Sequence, residues 1–171
     1  ILKHLWHEKE GMFVKMLRAD GSADSTVDVS AAYGIFSFGV LPPEDPKLVR
    51  AWEVSVRRLS YGIEAGGLAR YEGDQYYRSD PGPAGNPWIL TTLWYAEYLI
   101  ARAKTEADLG RVREIFSWVA KHTESSGVLP EQLDPRTGAS VSATPLAWSH
   151  AGYIIAVLKY LDRRAELGGM Q

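Results

Sequence analysis

Apolar positions along this chain recur mostly at helical spacing. Val49, Trp52, Val56 and Leu59 mark one face of a segment opened by Asp45-Pro46, an N-cap residue followed by proline at the first helical position. Asn86-Pro87 and Thr144-Pro145 stand in the same relation to "WILTTLWYAEYLIARA" and "LAWSHAGYIIAVLKYL". Thr105 with Asp108 forms a capping-box pattern ahead of Leu109, Val112, Phe116 and Val119, and Gly127 offers a left-handed stop. With 3–17 and 26–41 added, the pattern predicts six helices and no strand pair.

The helices over 86–103 and 144–161 are apolar nearly all round, as inner helices are. Those over 46–60 and 106–122 carry charged stripes, including Arg50, Arg57, Arg111 and Glu114, which suits an outer layer. Asp28, Asn86 and Thr144 are spaced by 58 residues each, so a pair of inner and outer helices repeats at that interval. The expected class is all-α, an α/α toroid or solenoid, with three pairs forming an arc. Residues 1–171 are read as a single partial domain.

Composition narrows the function. The formal charge of the 171-residue chain is -2, so no basic field suggests nucleic acid. No apolar run reaches the roughly 20 residues that span a bilayer, and the first residues are too charged for a secretory signal. There is no cysteine, so a disulfide framework and a cysteine zinc site are excluded. These features suit a cytoplasmic protein with no nucleic-acid or membrane partner. His4 and His7 lack a third metal ligand, and no cofactor is suggested. The start at Ile1 suits a portion of a longer chain.

Two long turn-rich loops precede inner helices: "GLARYEGDQYYRSDPGPAGNPW" and "SSGVLPEQLDPRTGASVSATP". Their aromatic content, within a total of six Trp and nine Tyr, argues against disorder. If both open at one end of the arc, Arg70, Asp74 and Glu131 meet at one rim beside Tyr71, Tyr76, Tyr77 and Trp88. Charged donors and acceptors beside aromatic faces suit a sugar, and glycosidic cleavage uses paired carboxyl groups. The alternative for Glu131 is a solvated carboxylate in a turn, and for Arg70 and Asp74 a mutual ion pair.

"RYEGDQYY…GNPW", then "LPEQLDPRTG" and "PLAWSHA", resembles glycoside hydrolase family 15, the glucoamylase family, most strongly from Gly67 to Leu161. The resemblance implies about half of an (α/α)6 barrel, the C-terminal portion of a catalytic domain. It implies an inverting α-glucoside hydrolase that releases glucose from non-reducing ends of α-glucosidic oligosaccharides or polysaccharides, including trehalose and isomaltose-type substrates. In that frame Glu131 is similar to the general base. Arg70 and Asp74 resemble glucose ligands, and Trp88, Trp148 and more weakly Tyr71 resemble aromatic walls. The family's general acid sits in a Trp-Glu-Glu motif that is absent here. Glu8 in "LWHEKEG", Glu64 and Glu72 lack its context, so the isolated chain is expected to be nearly inactive and to self-associate or require the missing N-terminal half. A competing reading is a regulatory, non-hydrolytic module like those of phosphorylase kinase regulatory subunits, although retention of "PEQ" argues against it.

Overall fold

The computed structural model describes residues 1–60, 66–79, 82 and 84–168. Helices α1 (Leu2–Leu5), α2 (Val29–Ser37), α3 (Pro46–Leu59), α4 (Ile89–Arg102), α5 (Gly110–Lys121) and α6 (Ala147–Gly168) carry most of the regular structure, with a 3-10 turn at Glu106–Leu109. α4 lies centrally, packed against α2 on one side and α6 on the other. α3 backs α2 and α5 backs α4, so inner and outer helices alternate. This is an arc of an α/α toroid.

Local chemistry explains several boundaries. Asp45 caps α3 by accepting from Lys47 N at 2.8 Å, with Pro46 at the first helical position. Thr105 and Asp108 make the reciprocal capping box of the 3-10 turn. Asp28 caps α2, its Oδ1 accepting from Ser30 N at 2.9 Å. Apolar burial then fixes the layers: Leu48, Trp52 and Leu59 of α3 and Ile89 and Leu93 of α4 are essentially inaccessible.

The expected helix over 3–17 does not form. α1 ends at Leu5, and β1 (Trp6–His7) pairs antiparallel with β2 (Met12–Phe13). Gly11 sits at φ +67, and a Cβ there would fall 1.9 Å from Arg50 Nε, so a turn is imposed where a helix needs no glycine. A second ribbon joins β3 (Met16–Leu17) to β4 (Ala23–Asp24). The absence of strand pairs is therefore also corrected. The third sheet is the important one: β5 (Leu68–Ala69), β6 (Pro87–Trp88), β7 (Gln132–Leu133) and β8 (Ser140–Val141) lie side by side in that order.

That sheet also moves two helix starts. Asn86 is not a cap and Pro87 is not a first helical position; both precede α4, whose N-cap is Trp88. α6 begins at Ala147, beyond Thr144-Pro145. α5 ends at Lys121, and Gly127 instead serves a turn closed by its N–H on Glu124 O at 2.8 Å. The two adjacent threonines of "LTTL" explain how β5 is held. Thr91 Oγ1 donates to Leu68 O at 2.7 Å, and Leu68 N donates to Thr92 Oγ1 at 2.9 Å. Each such bond contributes about 1 kcal/mol net, and more is lost if one buried partner is removed.

α6 is enclosed on one side only. Its Ser149, Gly152 and Ala156 face α4, and Gly152 permits close approach, since an added Cβ would lie 2.8 Å from Leu90 Cδ1. Trp148, Ile154, Ile155, Leu158 and Leu161, in contrast, are all more than two-fifths exposed. Gly152→Val is expected to lower stability by about 1–3 kcal/mol through overpacking against Leu90, read as a shifted urea midpoint with unchanged slope.

Candidate active site

The four-stranded sheet joins the two long loops at the N-terminal ends of the inner helices. Leu68 pairs with Trp88, and Trp88 pairs with Gln132. Arg70 thus follows β5, Trp88 lies in β6, and Glu131 immediately precedes β7. Val29 N donates to Arg70 O at 3.0 Å, Ile89 N to Glu131 O at 3.2 Å, and Ser149 Oγ to Pro130 O at 2.8 Å. All three inner helices therefore begin against the same loop cluster. Arg70, Asp74, Trp88 and Glu131, far apart in the chain, share one end of the arc.

Glu131 is not a solvated turn residue. It is 9 % exposed, and its Oε2 accepts from Ser142 Oγ at 2.6 Å. Gln132 Nε2 lies 3.5 Å from the same oxygen and 3.2 Å from Ser142 Oγ. Ser142 reaches it from a left-handed backbone, φ +64, which a non-glycine residue adopts at a cost and which clusters at functional sites. Oε1 accepts no hydrogen bond among the described residues, so one carboxylate oxygen is held and the other is left for a small ligand or water.

Gln132 carries the network across the sheet. Fully buried, it accepts at Oε1 from Asn86 Nδ2 at 3.1 Å. Asn86 in turn donates to Tyr77 O at 2.8 Å and accepts from Ser79 N at 3.1 Å. The Asn-Pro pair read as a helix start is thus a polar buckle between the two loops. Sequence reasoning missed this role, because the partner across the sheet, Gln132, lies 46 residues away.

Arg70 and Asp74 form the mutual pair: Nε donates to Oδ2 at 2.9 Å and Nη2 to Oδ1 at 3.0 Å. Asp74 is 2 % exposed and also accepts from Tyr76 N at 3.0 Å, so it lies beneath Arg70 and orients it. Gly85 is pressed so close to Asp74 that a Cβ would meet its side chain at 2.9 Å, at a backbone φ of +85. The guanidinium stays partly open and lies 4.6 Å from the Trp88 ring and 4.9 Å from the Tyr71 ring. Burial opposes the Arg70 charge, but the Asp74 carboxylate outweighs it and raises the guanidinium's affinity for its proton. Trp88 is nearly buried, with an indole N–H that finds no acceptor among the described residues.

Trp148 stands in the first turn of α6, 59 % exposed, edge-on to Trp94 at 6.0 Å. Trp94 stacks on Tyr33 at 4.4 Å. His150 is a satisfied rim histidine, its Nε2 accepting from Leu129 N at 3.0 Å. Asp134 closes its own turn, accepting from Arg136 N and Thr137 N at 2.9 Å. Among the described residues no group of three His, Asp or Glu could hold a metal. The grooves between helices, such as one of about 260 Å³ lined by Val56, Tyr95 and Ile115, contain none of these residues.

The remaining acids are engaged elsewhere. Glu72 takes both Arg58 Nε, at 2.5 Å, and Arg58 Nη2, at 2.7 Å. Glu8 is exposed, and its carboxyl is held below the usual range first by the Trp6 indole N–H and then by Lys47. Both are tied to cations, Glu72 to Arg58 and Glu8 to Lys47. Glu64 lies outside the described residues.

The chain is similar to known proteins. The profile of glycosyl hydrolases family 15 matches residues 112–158. A protein of Methanocaldococcus jannaschii described as an uncharacterized glycosyl hydrolase is 31% identical over 164 residues, spanning 91% of this chain and 25% of its own length. An isomaltose glucohydrolase of Kribbella flavida is 30% identical over 157 residues, spanning 85% of this chain and 36% of that protein. A crystal structure of a bacterial glucoamylase complexed with acarbose superposes with a TM-score of 0.76 at 21% identity, covering 95% of this chain and 27% of that one, a likeness of fold. The chain thus spans between a quarter and two fifths of the length of these three proteins.

Proposed function

We propose that this chain, which belongs to glycosyl hydrolases family 15, is a portion of the catalytic domain and supplies the general-base half of an inverting α-glucoside hydrolase. The observation that carries this is Glu131: buried, held through one oxygen by Ser142, with no hydrogen bond from a described residue to the other. In an inverting reaction a base carboxylate takes a proton from water on the face of the sugar opposite the departing group. Oε1 of Glu131 is the atom suited to that water, and the bond to Ser142 fixes its aim.

Arg70, locked by Asp74, offers the donors that a glucose hydroxyl would accept. Asp74 has both oxygens committed to Arg70, so its part is orientation. Trp148, 59 % exposed, presents aromatic surface on which a pyranose ring stacks, whereas Trp88, buried and faced by Arg70, backs the guanidinium rather than forming the open wall expected of it. The carboxylic acid that protonates the leaving oxygen is expected from outside residues 1–171, because Glu8 and Glu72 are tied to cations. The relatives include an isomaltose glucohydrolase and glucoamylases, which supports an α-linked glucoside cleaved at its non-reducing end as the substrate class.

The test is the anomer released. The full-length protein, offered isomaltose, maltose and trehalose in parallel and followed by proton NMR in the first minutes, is expected to free the non-reducing-end unit as β-glucose: an initial β excess over the anomer mixture of the leaving glucose from isomaltose and maltose, and one α- with one β-glucose from trehalose. An initial excess of α-glucose, or no glucose from any of the three, contradicts the proposal.

The exposed stripe on α6 supports a related expectation. Large contiguous apolar surface invites association, so residues 1–171 alone are expected to self-associate at micromolar concentration and to be nearly inactive. Ile154→Lys with Leu158→Lys is expected to shift light scattering towards the monomer mass. An isolated chain that is monomeric without these changes opposes this expectation.

A further inference from the structure

We propose that Lys15, on the N-terminal ribbon, is a positioning residue for the sugar-facing guanidinium of Arg70, acting through the ring of Tyr71. This rests on the proposed function, which supplies the sugar. Nothing in the sequence marks Lys15, which precedes β3 in the stretch misread as helix.

Its ammonium lies 3.4 Å from the Tyr71 ring centroid and 3.2 Å from Asp28 Oδ2. Arg70 lies 4.9 Å from the same ring. Two cations therefore approach the Tyr71 ring, one from the N-terminal ribbon and one from its own loop, and occupy face that a sugar would stack on. The weaker wall role expected for Tyr71 gives way to one of support. The other end of the clamp is rigid. Asp28 is 7 % exposed, caps α2, and bridges Tyr71 through the backbone, while Val29 N bonds Arg70 O. Asp24 is the other charged group near Lys15, and its carboxyl is already engaged by Thr26 N at 3.0 Å and Arg18 at 3.1 Å.

A cation over an aromatic face is attracted by the ring quadrupole, most strongly where water is excluded. Lys15 lies partly buried with one carboxylate and one ring as partners, so its charge fixes where the ring stands. The ring in turn bounds the space available to the guanidinium. Removing the ammonium frees Tyr71 and lets Arg70 sample positions that do not meet a glucose hydroxyl. Binding of substrate and transition state would weaken together, which raises KM with little change in kcat.

In the full-length protein, Lys15→Met is expected to raise KM for isomaltose about 3–10-fold, from the usual strength of such contacts, with kcat near the parent's. Lys15→Arg, which keeps the charge, should restore most of the loss. Tyr71→Leu should reproduce the rise, and Lys15→Met should add nothing in that background. An unchanged KM in Lys15→Met or Tyr71→Leu, or an undiminished Lys15 effect in the Tyr71→Leu background, overturns the proposal. Should Lys15→Met fail to fold, Tyr71→Leu decides alone. Glucose affinity, read by tryptophan fluorescence, separates the two readings. If glucose binds without any hydrolysis, the proposed function fails while the same comparison still judges Lys15; if glucose does not bind at all, both fall.

Discussion

Glu131→Gln in the full-length protein is expected to cut kcat by about 10²–10⁴-fold while leaving glucose affinity nearly unchanged. The amide keeps the shape of the carboxylate and can still engage Ser142, whose hydroxyl can rotate to donate or accept. What it loses is the capacity to take a proton from water. Oε1, which accepts no hydrogen bond from a described residue, is where that proton would go. Ser142→Ala should give a smaller loss, about tenfold, because the carboxylate remains but its aim is relaxed. Full turnover in Glu131→Gln, measured as glucose release under saturating substrate, removes Glu131 from the chemistry.

Arg70→Met carries the second large effect, and it splits into two parts. Charge-assisted hydrogen bonds contribute about 1.5–3 kcal/mol each, so losing those to a glucose hydroxyl should lower kcat/KM by about 10²-fold. The same change strands Asp74, whose side chain is 2 % exposed against 34 % for Arg70. A buried charge deprived of its partner costs about 3–5 kcal/mol when fully enclosed. Here water reaches the pair from the Arg70 side, so about 2 kcal/mol is the expected loss of stability. Arg70→Met with Asp74→Leu should recover the stability and leave kcat/KM low. Recovery of both, or of neither, is incompatible with an Asp74 that orients Arg70 and an Arg70 that meets the sugar.

The legible parts of this fold were those governed by neighbours in sequence. Asp45-Pro46 and Thr105 with Asp108 declared helix starts because a cap acts within three residues, and both are found in place. The alternation of inner and outer helices was legible from apolar and charged faces. The segment 3–17 was misread because its fate is set at long range. Trp6 packs on Phe13 at 5.0 Å across a ribbon, and the Arg50 side chain occupies the space beside Gly11. Asn86-Pro87 was misread for the same reason, since a helix-capping signature and an inter-loop buckle look alike until Gln132 is beside them.

The candidate site shows the same division. The convergence of two loops at one rim was expected from the order of the inner helices. The means of convergence, a four-stranded sheet with Thr91 and Thr92 gripping Leu68, was invisible in strands two residues long. Ser142 and Lys15 carried no signal at all, because a lone serine in a loop and a lysine in a ribbon become meaningful only through what they touch.

One measurement reaches the central claim, that a guanidinium and a carboxylate from separate loops face the same glucose unit. It is the crystal structure of full-length Glu131→Gln with glucose bound. The expected result is a pyranose ring whose hydroxyls accept from Arg70, with residue 131 on the ring's far side from the aglycone position and separated from the anomeric carbon by one water. A sugar bound elsewhere, or one that meets Arg70 while residue 131 points away from it, contradicts the account.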